Sequence, residues 1–257
     1  MGGTGDHERS PRGAVVGWSA ASARRQMKWL WTVAAGDLDG FGYAVTLTMR
    51  NTPETAAAFH KLRRAWIMRA TRMGATRIHW VIEWQARGTP HLHAAVYFQD
   101  EPAKPDMLGI HWMVIAGDYG TSMRSQDVQP ITGSVGWLKY LAKHASRGAN
   151  HYQRAGHPEG WEKTGRLWGH VGDWPTVEPV ELGLSNALFY RTRRILRRWA
   201  ESDARASSDW KRLAYLRRSG RPGNARESRY QGVSEWLPET VTMRLEDFLR
   251  REQSFDQ

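Results

Sequence analysis

The chain has 257 residues, 40% hydrophobic and 25% charged, proportions that suit a globular protein with a sizeable core and exclude a disordered tail protein. A mean hydropathy of −0.63 and the lack of any 18-residue apolar run exclude a membrane span, and the absence of cysteine removes disulfides, thiolate metal sites and cysteine nucleophiles together. The 37 Lys and Arg against 26 Asp and Glu leave a net charge of +11 and an isoelectric point near 10.2, which points to a polyanionic partner, nucleic acid first.

Residues 1–13 are Gly-rich and polar with no apolar stretch behind their charges. A flexible segment is expected there, not a secretion signal, and a reducing cytoplasm is the expected compartment. From Ser22 to Ala35, Met27, Leu30, Trp31 and Ala34 recur at helical spacing. After a Gly/Asp turn at 36–42, Tyr43 to Met49 is rich in β-formers and predicts a strand. Thr52 as N-cap and Pro53 at the first helical position predict a helix to Met73 that buries Phe59, Leu62, Trp66 and Met73.

Arg77 to Trp84 and His91 to Phe98 read as two strands of a hairpin joined across QARGTP. Residues 99–133 hold three prolines and broken apolar patches, with short strands at Trp112 to Ala116 and Ser125 to Gln129. Ser134 to Ser146 carries Val135, Leu138, Leu141 and Ala142 on one helical face, and RLWGHVGDW at 166–174 reads as a last strand. The order β-α-β-β-α-β predicts an α+β fold, a ferredoxin-like or split βαβ antiparallel sheet with helices.

Beyond Trp174-Pro175 the spacing predicts Arg-rich helices at Leu184 to Ala200, Trp210 to Arg218 and Thr240 to Arg251. Three regions follow: a flexible segment and helix over 1–36, a sheet domain over 37–175 and a basic helical region over 176–257. Arg191 to Tyr230 holds 13 basic and 4 acidic residues, a net +9. Within it Arg191, Arg193, Arg194, Arg197 and Arg198 are the expected contacts to a nucleic-acid backbone.

Alternate residues of a strand share a face, so His91 and His93 point the same way. In the preceding strand His79, Val81 and Glu83 share one face and Ile78, Trp80, Ile82 and Trp84 the apolar other. If odd residues pair with odd, Glu83 joins the two imidazoles on one surface, and a slip of one residue abolishes the group. Two imidazoles and a carboxylate with open coordination positions suit Mg2+ or Mn2+ acting as a Lewis acid on a phosphate oxygen.

His79 is a spare ligand candidate on that face, with support of the ligands or simple exposure as its expected role. Tyr140 and Lys143 stand three apart on the predicted helix. The phenol is a candidate nucleophile toward a phosphodiester, and the ammonium favours its phenolate or the charge of the transition state. Tyr152 is the next candidate nucleophile, Lys139 and His144 receive no catalytic part, and Trp137 or Trp161 is available to stack on unpaired bases.

The strand YAVTLTM, then EWQARGTPHLHAAVYF with Glu83, His91 and His93, then WLKYLAKH with Tyr140 and Lys143, resemble in order and spacing the motifs of the His-hydrophobe-His (HUH) endonucleases that initiate rolling-circle replication. The resemblance covers roughly residues 43–174, and RLWGHVGDW is similar to a segment that often follows in plasmid and phage initiators. It implies cleavage of single-stranded or hairpin origin DNA, a covalent 5′-phosphotyrosine and a free 3′-hydroxyl for a polymerase, with rejoining by the reverse step. The motif holds one Tyr where some relatives carry two. No Walker-type phosphate loop occurs, so helicase and polymerase are expected from the host. A relaxase or single-strand transposase would share this chemistry, and a non-catalytic nucleic-acid-binding protein is the alternative of another class.

Overall fold

In the computed structural model, residues 13–133, 136, 137, 140, 144, 147–178, 183–219 and 239–255 are described. The chain divides into two compact units, Met1–Pro179 and Val180–Gln257.

The first unit opens with α1 (Ala20–Thr32), where the Ser19 hydroxyl accepts from the Ser22 N–H at 3.1 Å. Strand β1 (Phe41–Leu47) leads to α2 (Ala56–Arg72). Thr55, not the expected Thr52, is the N-cap of α2: its hydroxyl accepts from the Ala58 N–H at 3.2 Å. Thr52 hydrogen-bonds the Thr89 hydroxyl instead. Strands β2 (Ala75–Trp84) and β3 (Pro90–Phe98) form the hairpin, followed by α3 (Met107–Ile115), β4 (Asp127–Ile131) and β5 (Trp168–Val171).

The sheet order is β4-β1-β3-β2-β5 and every pairing is antiparallel. β1-α2-β2 and β3-α3-β4 are therefore the two halves of a split βαβ arrangement, the α+β fold that the element order predicts. The second half closes earlier in the chain than expected, because Trp112 to Ala116 is not a strand. It belongs to or caps α3, whose Leu108 and Trp112 lie one turn apart and buried. The indole of Trp66 in α2 donates to the Leu108 carbonyl at 2.9 Å, and that of Trp112 to the Thr48 carbonyl at 3.0 Å. The last predicted strand, shortened to β5, is a fifth strand beside β2. Gly169 permits its close approach, since a Cβ there would stand 2.8 Å from the Trp80 ring.

The hairpin loop sets which residues of β2 and β3 face each other. Gln85 N–H donates to the Thr89 carbonyl and Gly88 N–H to the Gln85 carbonyl, each at 2.8 Å. Gly88 has φ +82°, the left-handed conformation that closes a three-residue hairpin loop. Pairing Gln85 with Thr89 aligns odd residues with odd, so Glu83 opposes His91 and Val81 opposes His93. A two-residue loop would align odd with even and send the imidazoles to the face opposite Glu83.

The central strands β2 and β3 are buried on both sides. On one face Ile78, Trp80, Ile82, Leu92, Ala94 and Val96 pack with Phe59 and Trp66 of α2 and Trp112 of α3. The other face packs Ala95 and Tyr97 against Leu30 of α1, Trp137, Tyr140 and Trp174. The polar residues of this second face are thus interior: His79 and Glu83 are 0% exposed. Trp137 and Trp161 are also core residues, at 0% and 1% exposure, which removes them as stacking platforms for bases. Pro175 stays with this unit, its carbonyl accepting from Ala34 N–H at 2.9 Å.

The second unit contains α4 (Asn186–Ala206), α5 (Trp210–Ser219) and α6 (Glu239–Phe255), each of the three expected Arg-rich helices with somewhat different ends. Ser185 caps α4 by accepting from Leu188 N–H at 3.3 Å. Arg191 of α4 pairs with Glu252 of α6 and lies 4.9 Å over the Phe248 ring.

Candidate active site

Antiparallel pairing brings the donor groups together from β2 and β3, with β1 beside them. One ligand atom from each of Glu83, His91 and His93 lies within 4.8 Å of the others, and all three side chains are buried. Thr46 of β1 opposes His93, and its hydroxyl is 3.1 Å from the imidazole Nδ1. That contact orients the ring so that Nε2 faces Glu83 Oε2 at 3.5 Å, the usual way in which a hydrogen bond on one ring nitrogen presents the other.

Glu83 is held from two directions. Arg154, 1% exposed, donates from Nε to Glu83 Oε1 at 2.8 Å, from Nη2 to the His144 carbonyl at 3.0 Å and from Nη1 to the Arg147 carbonyl. Its guanidinium also lies 4.0 Å over the Trp18 ring. Arg147 donates to the second oxygen, Oε2, and His144 Nδ1 stands 3.9 Å from that same oxygen. A buried carboxylate needs such compensation, because leaving it unpaired costs about 3–5 kcal/mol.

Gly136, Trp137, Tyr140 and His144 are helical. Tyr140 stacks on Trp137, with ring centroids 5.5 Å apart and planes at 27°, and lies 4.7 Å from the His144 ring. The Tyr140 hydroxyl is 3.0 Å from His79 Nδ1, and the residue is 6% exposed. Burial pushes the phenol pKa well above its ordinary value, with the Glu83 charge and then Tyr97 acting in the same direction. The phenol is therefore protonated in the resting protein. A cleft of about 510 Å3 is lined by Thr46, His93, Tyr140, His144, Gln129 and Thr132 among others. Lys143 lies outside the described residues, and Tyr152 is 68% exposed.

His79 sits at the hydroxyl end of the phenol. Trp29 of α1 is sandwiched between His79 at 5.0 Å and His170 of β5 at 4.2 Å, both nearly parallel to it. Burial, then the charges of His170 and Arg154, lower the His79 pKa from 6.5 to about 3. The unfolded chain therefore binds a proton between those values that the folded one refuses, so stability is complete above about pH 6.5 and declines as the pH falls toward 3. Urea midpoints measured downward from neutral pH should fall, and fall less in His79→Phe. Equal acid slopes in the two proteins would contradict a neutral, buried His79.

Over 247 residues the chain is 44% identical to the replication-associated protein G2P of Pseudomonas phage Pf3, covering 94% of this chain and 88% of the relative. The chain belongs to the replication-associated protein ORF2/G2P family. The family match spans residues 42–149, which takes in β1 from Gly42 onward, the hairpin, Tyr140 and His144. A Xylella fastidiosa (strain Temecula1) relative, provisionally named a replication protein, is 42% identical over 90% of this chain and 91% of its own length. A similarly named protein of strain 9a5c is 41% identical over 92% of this chain and 87% of the relative. No solved structure is a significant match.

In this ORF2/G2P chain the structure adds four residues that sequence reasoning did not assign to the site. Thr46 orients His93, Arg154 and Arg147 hold Glu83, and His144, which receives no catalytic part from the sequence alone, borders Glu83, His93 and Tyr140. Only His144 had a signal in the sequence, its i+4 spacing from Tyr140.

Proposed function

We propose that the chain is a metal-dependent DNA endonuclease and strand transferase of the HUH type, which initiates rolling-circle replication by nicking single-stranded or hairpin origin DNA. The observation that supports this reading is a cleft lined by Tyr140, His93 and His144, with Glu83 and His91 buried beside His93. The donor set fits a divalent metal: one carboxylate and two imidazoles within 4.8 Å, with His93 already oriented by Thr46. Glu83, His91 and His93 would hold it, and Mg2+ or Mn2+ bound there supplies withdrawal of charge from a phosphate oxygen.

The chain's own groups carry the covalent step. Tyr140 Oη attacks phosphorus, the O–P bond to tyrosine forms, and the P–O3′ bond breaks. The phenol loses its proton and the departing 3′-oxygen ends as a hydroxyl, so the step is balanced without a nucleotide cofactor. Lys143 is the proposed ammonium beside the developing charge. The phosphotyrosine conserves the phosphodiester bond, and attack by a 3′-hydroxyl reverses the step. A test follows: after cleavage, a second oligonucleotide with a free 3′-hydroxyl should be joined to the captured 5′-phosphate without ATP. Hydrolysis with no joined product would contradict a transferase.

In this reading residues 37–175 carry the chemistry, residues 176–257 hold DNA, the host supplies helicase and polymerase, and the reaction is cytoplasmic. No helix among the described residues is long and apolar enough to cross a membrane. The five arginines of α4 are not equivalent. Arg191 pairs with Glu252, Arg197 with Glu201 at 3.2 Å, and Arg193 lies over Phe189 and Tyr190. Arg194 and Arg198 are exposed one turn apart and form no ion pair among the described residues, which makes them the first candidates for phosphate contact. Replacing both with Gln should weaken DNA binding at all sequences and flatten its salt dependence by roughly 0.7–0.9 in log–log slope per residue. An unchanged slope would remove α4 from the DNA interface.

A further inference from the structure

We propose that His144 is a fourth protein ligand of the metal, so that the helical residues bearing the nucleophile are fastened to the sheet through the ion. The inference rests on the metal reading above and extends it to a residue outside the carboxylate-diimidazole group.

Donor atoms around one six-coordinate ion with bonds near 2.1 Å stand roughly 3.0 Å apart when adjacent and about 4.2 Å apart when opposite. Glu83 Oε2 is 3.5 Å from His93 Nε2 and 3.9 Å from His144 Nδ1, so both nitrogens fall within the range for sharing an ion with that oxygen. The His93 and His144 rings are 4.9 Å apart, close to the 4.3 Å between His91 and His93. His144 is 1% exposed and lines the cleft.

A second observation bears on the same pair. Arg154 ties the His144 carbonyl and Glu83 Oε1 to one guanidinium. It engages the oxygen away from His144 Nδ1 and leaves Oε2 on the imidazole side. Arg147 donates to Oε2, so its guanidinium competes with a cation for this oxygen. His144 stands one helical turn from Tyr140, and its ligation would fix the nucleophile relative to the ion. Three nitrogen donors and one carboxylate also favour Mn2+ over Mg2+, which prefers oxygen.

The test is Mn2+ titration of the full chain followed by pulsed electron paramagnetic resonance, which counts nitrogens bound to the ion. Three imidazole nitrogens are expected in the wild-type chain and two in His144→Ala, with Mn2+ affinity reduced about tenfold or more. Two nitrogens in the wild-type chain would overturn the role of His144 while leaving Glu83, His91 and His93 as the site. No nitrogen coordination would overturn both. The wild-type count decides the matter whether or not the alanine variant folds.

Discussion

Tyr140→Phe is expected to abolish the covalent protein-DNA adduct and to lower origin nicking by about three orders of magnitude or more, because the chain loses the atom that attacks phosphorus. The ring remains, so the stack on Trp137 and the contact with His144 survive. The lost hydrogen bond to buried His79 costs about 1–3 kcal/mol, a change visible in thermal melting but too small to unfold a domain of ordinary stability. DNA binding and Mn2+ binding should be nearly unaltered. Adduct formed at wild-type yield would move the nucleophile elsewhere, to exposed Tyr152 first.

His91→Ala and His93→Ala are expected to lose metal-supported cleavage by about two to three orders of magnitude, and to lose Mn2+ affinity with it. This separates them from Tyr140→Phe, which keeps the ion and loses the chemistry. His93→Ala also strands the Thr46 hydroxyl that meets its Nδ1, so its loss should be only partly offset by raising Mn2+. Glu83→Ala is a different experiment. It leaves Arg154 buried with its partner gone and removes the group that Arg147 meets, so a stability loss of about 3–5 kcal/mol is expected on top of the lost ligand. Undiminished cleavage in either histidine variant would mean that the ion binds elsewhere.

The hairpin was legible in the sequence because β-strands carry a period of two: His79, Val81 and Glu83 share parity with His91 and His93. Gly88 in a three-residue loop then makes odd residues face odd. The split βαβ order was legible for the same reason, although two of its elements were misassigned. α3 reads as broken apolar patches because MLGIHWMVI has little polar face to mark a helix. Its identity comes from burial under α2 and not from its own periodicity.

The depth of the site was not legible. An alternating strand implies a wet polar face, whereas α1, Trp137 and Trp174 cover that face with a second apolar layer. Arg154 and Arg147 lie in a Gly-rich stretch with no period, so nothing local couples them to a carboxylate more than 60 positions earlier. Thr46 likewise acquires its part only through pairing of β1 with β3.

The residue to which DNA becomes attached identifies the nucleophile. The wild-type chain, incubated with an origin oligonucleotide and Mn2+, digested and analysed by peptide mass spectrometry, should carry a 5′-phosphonucleotide on Tyr140, and none when a chelator is present. Attachment at any other residue, or cleavage with no attached nucleotide, would contradict Tyr140 as that nucleophile.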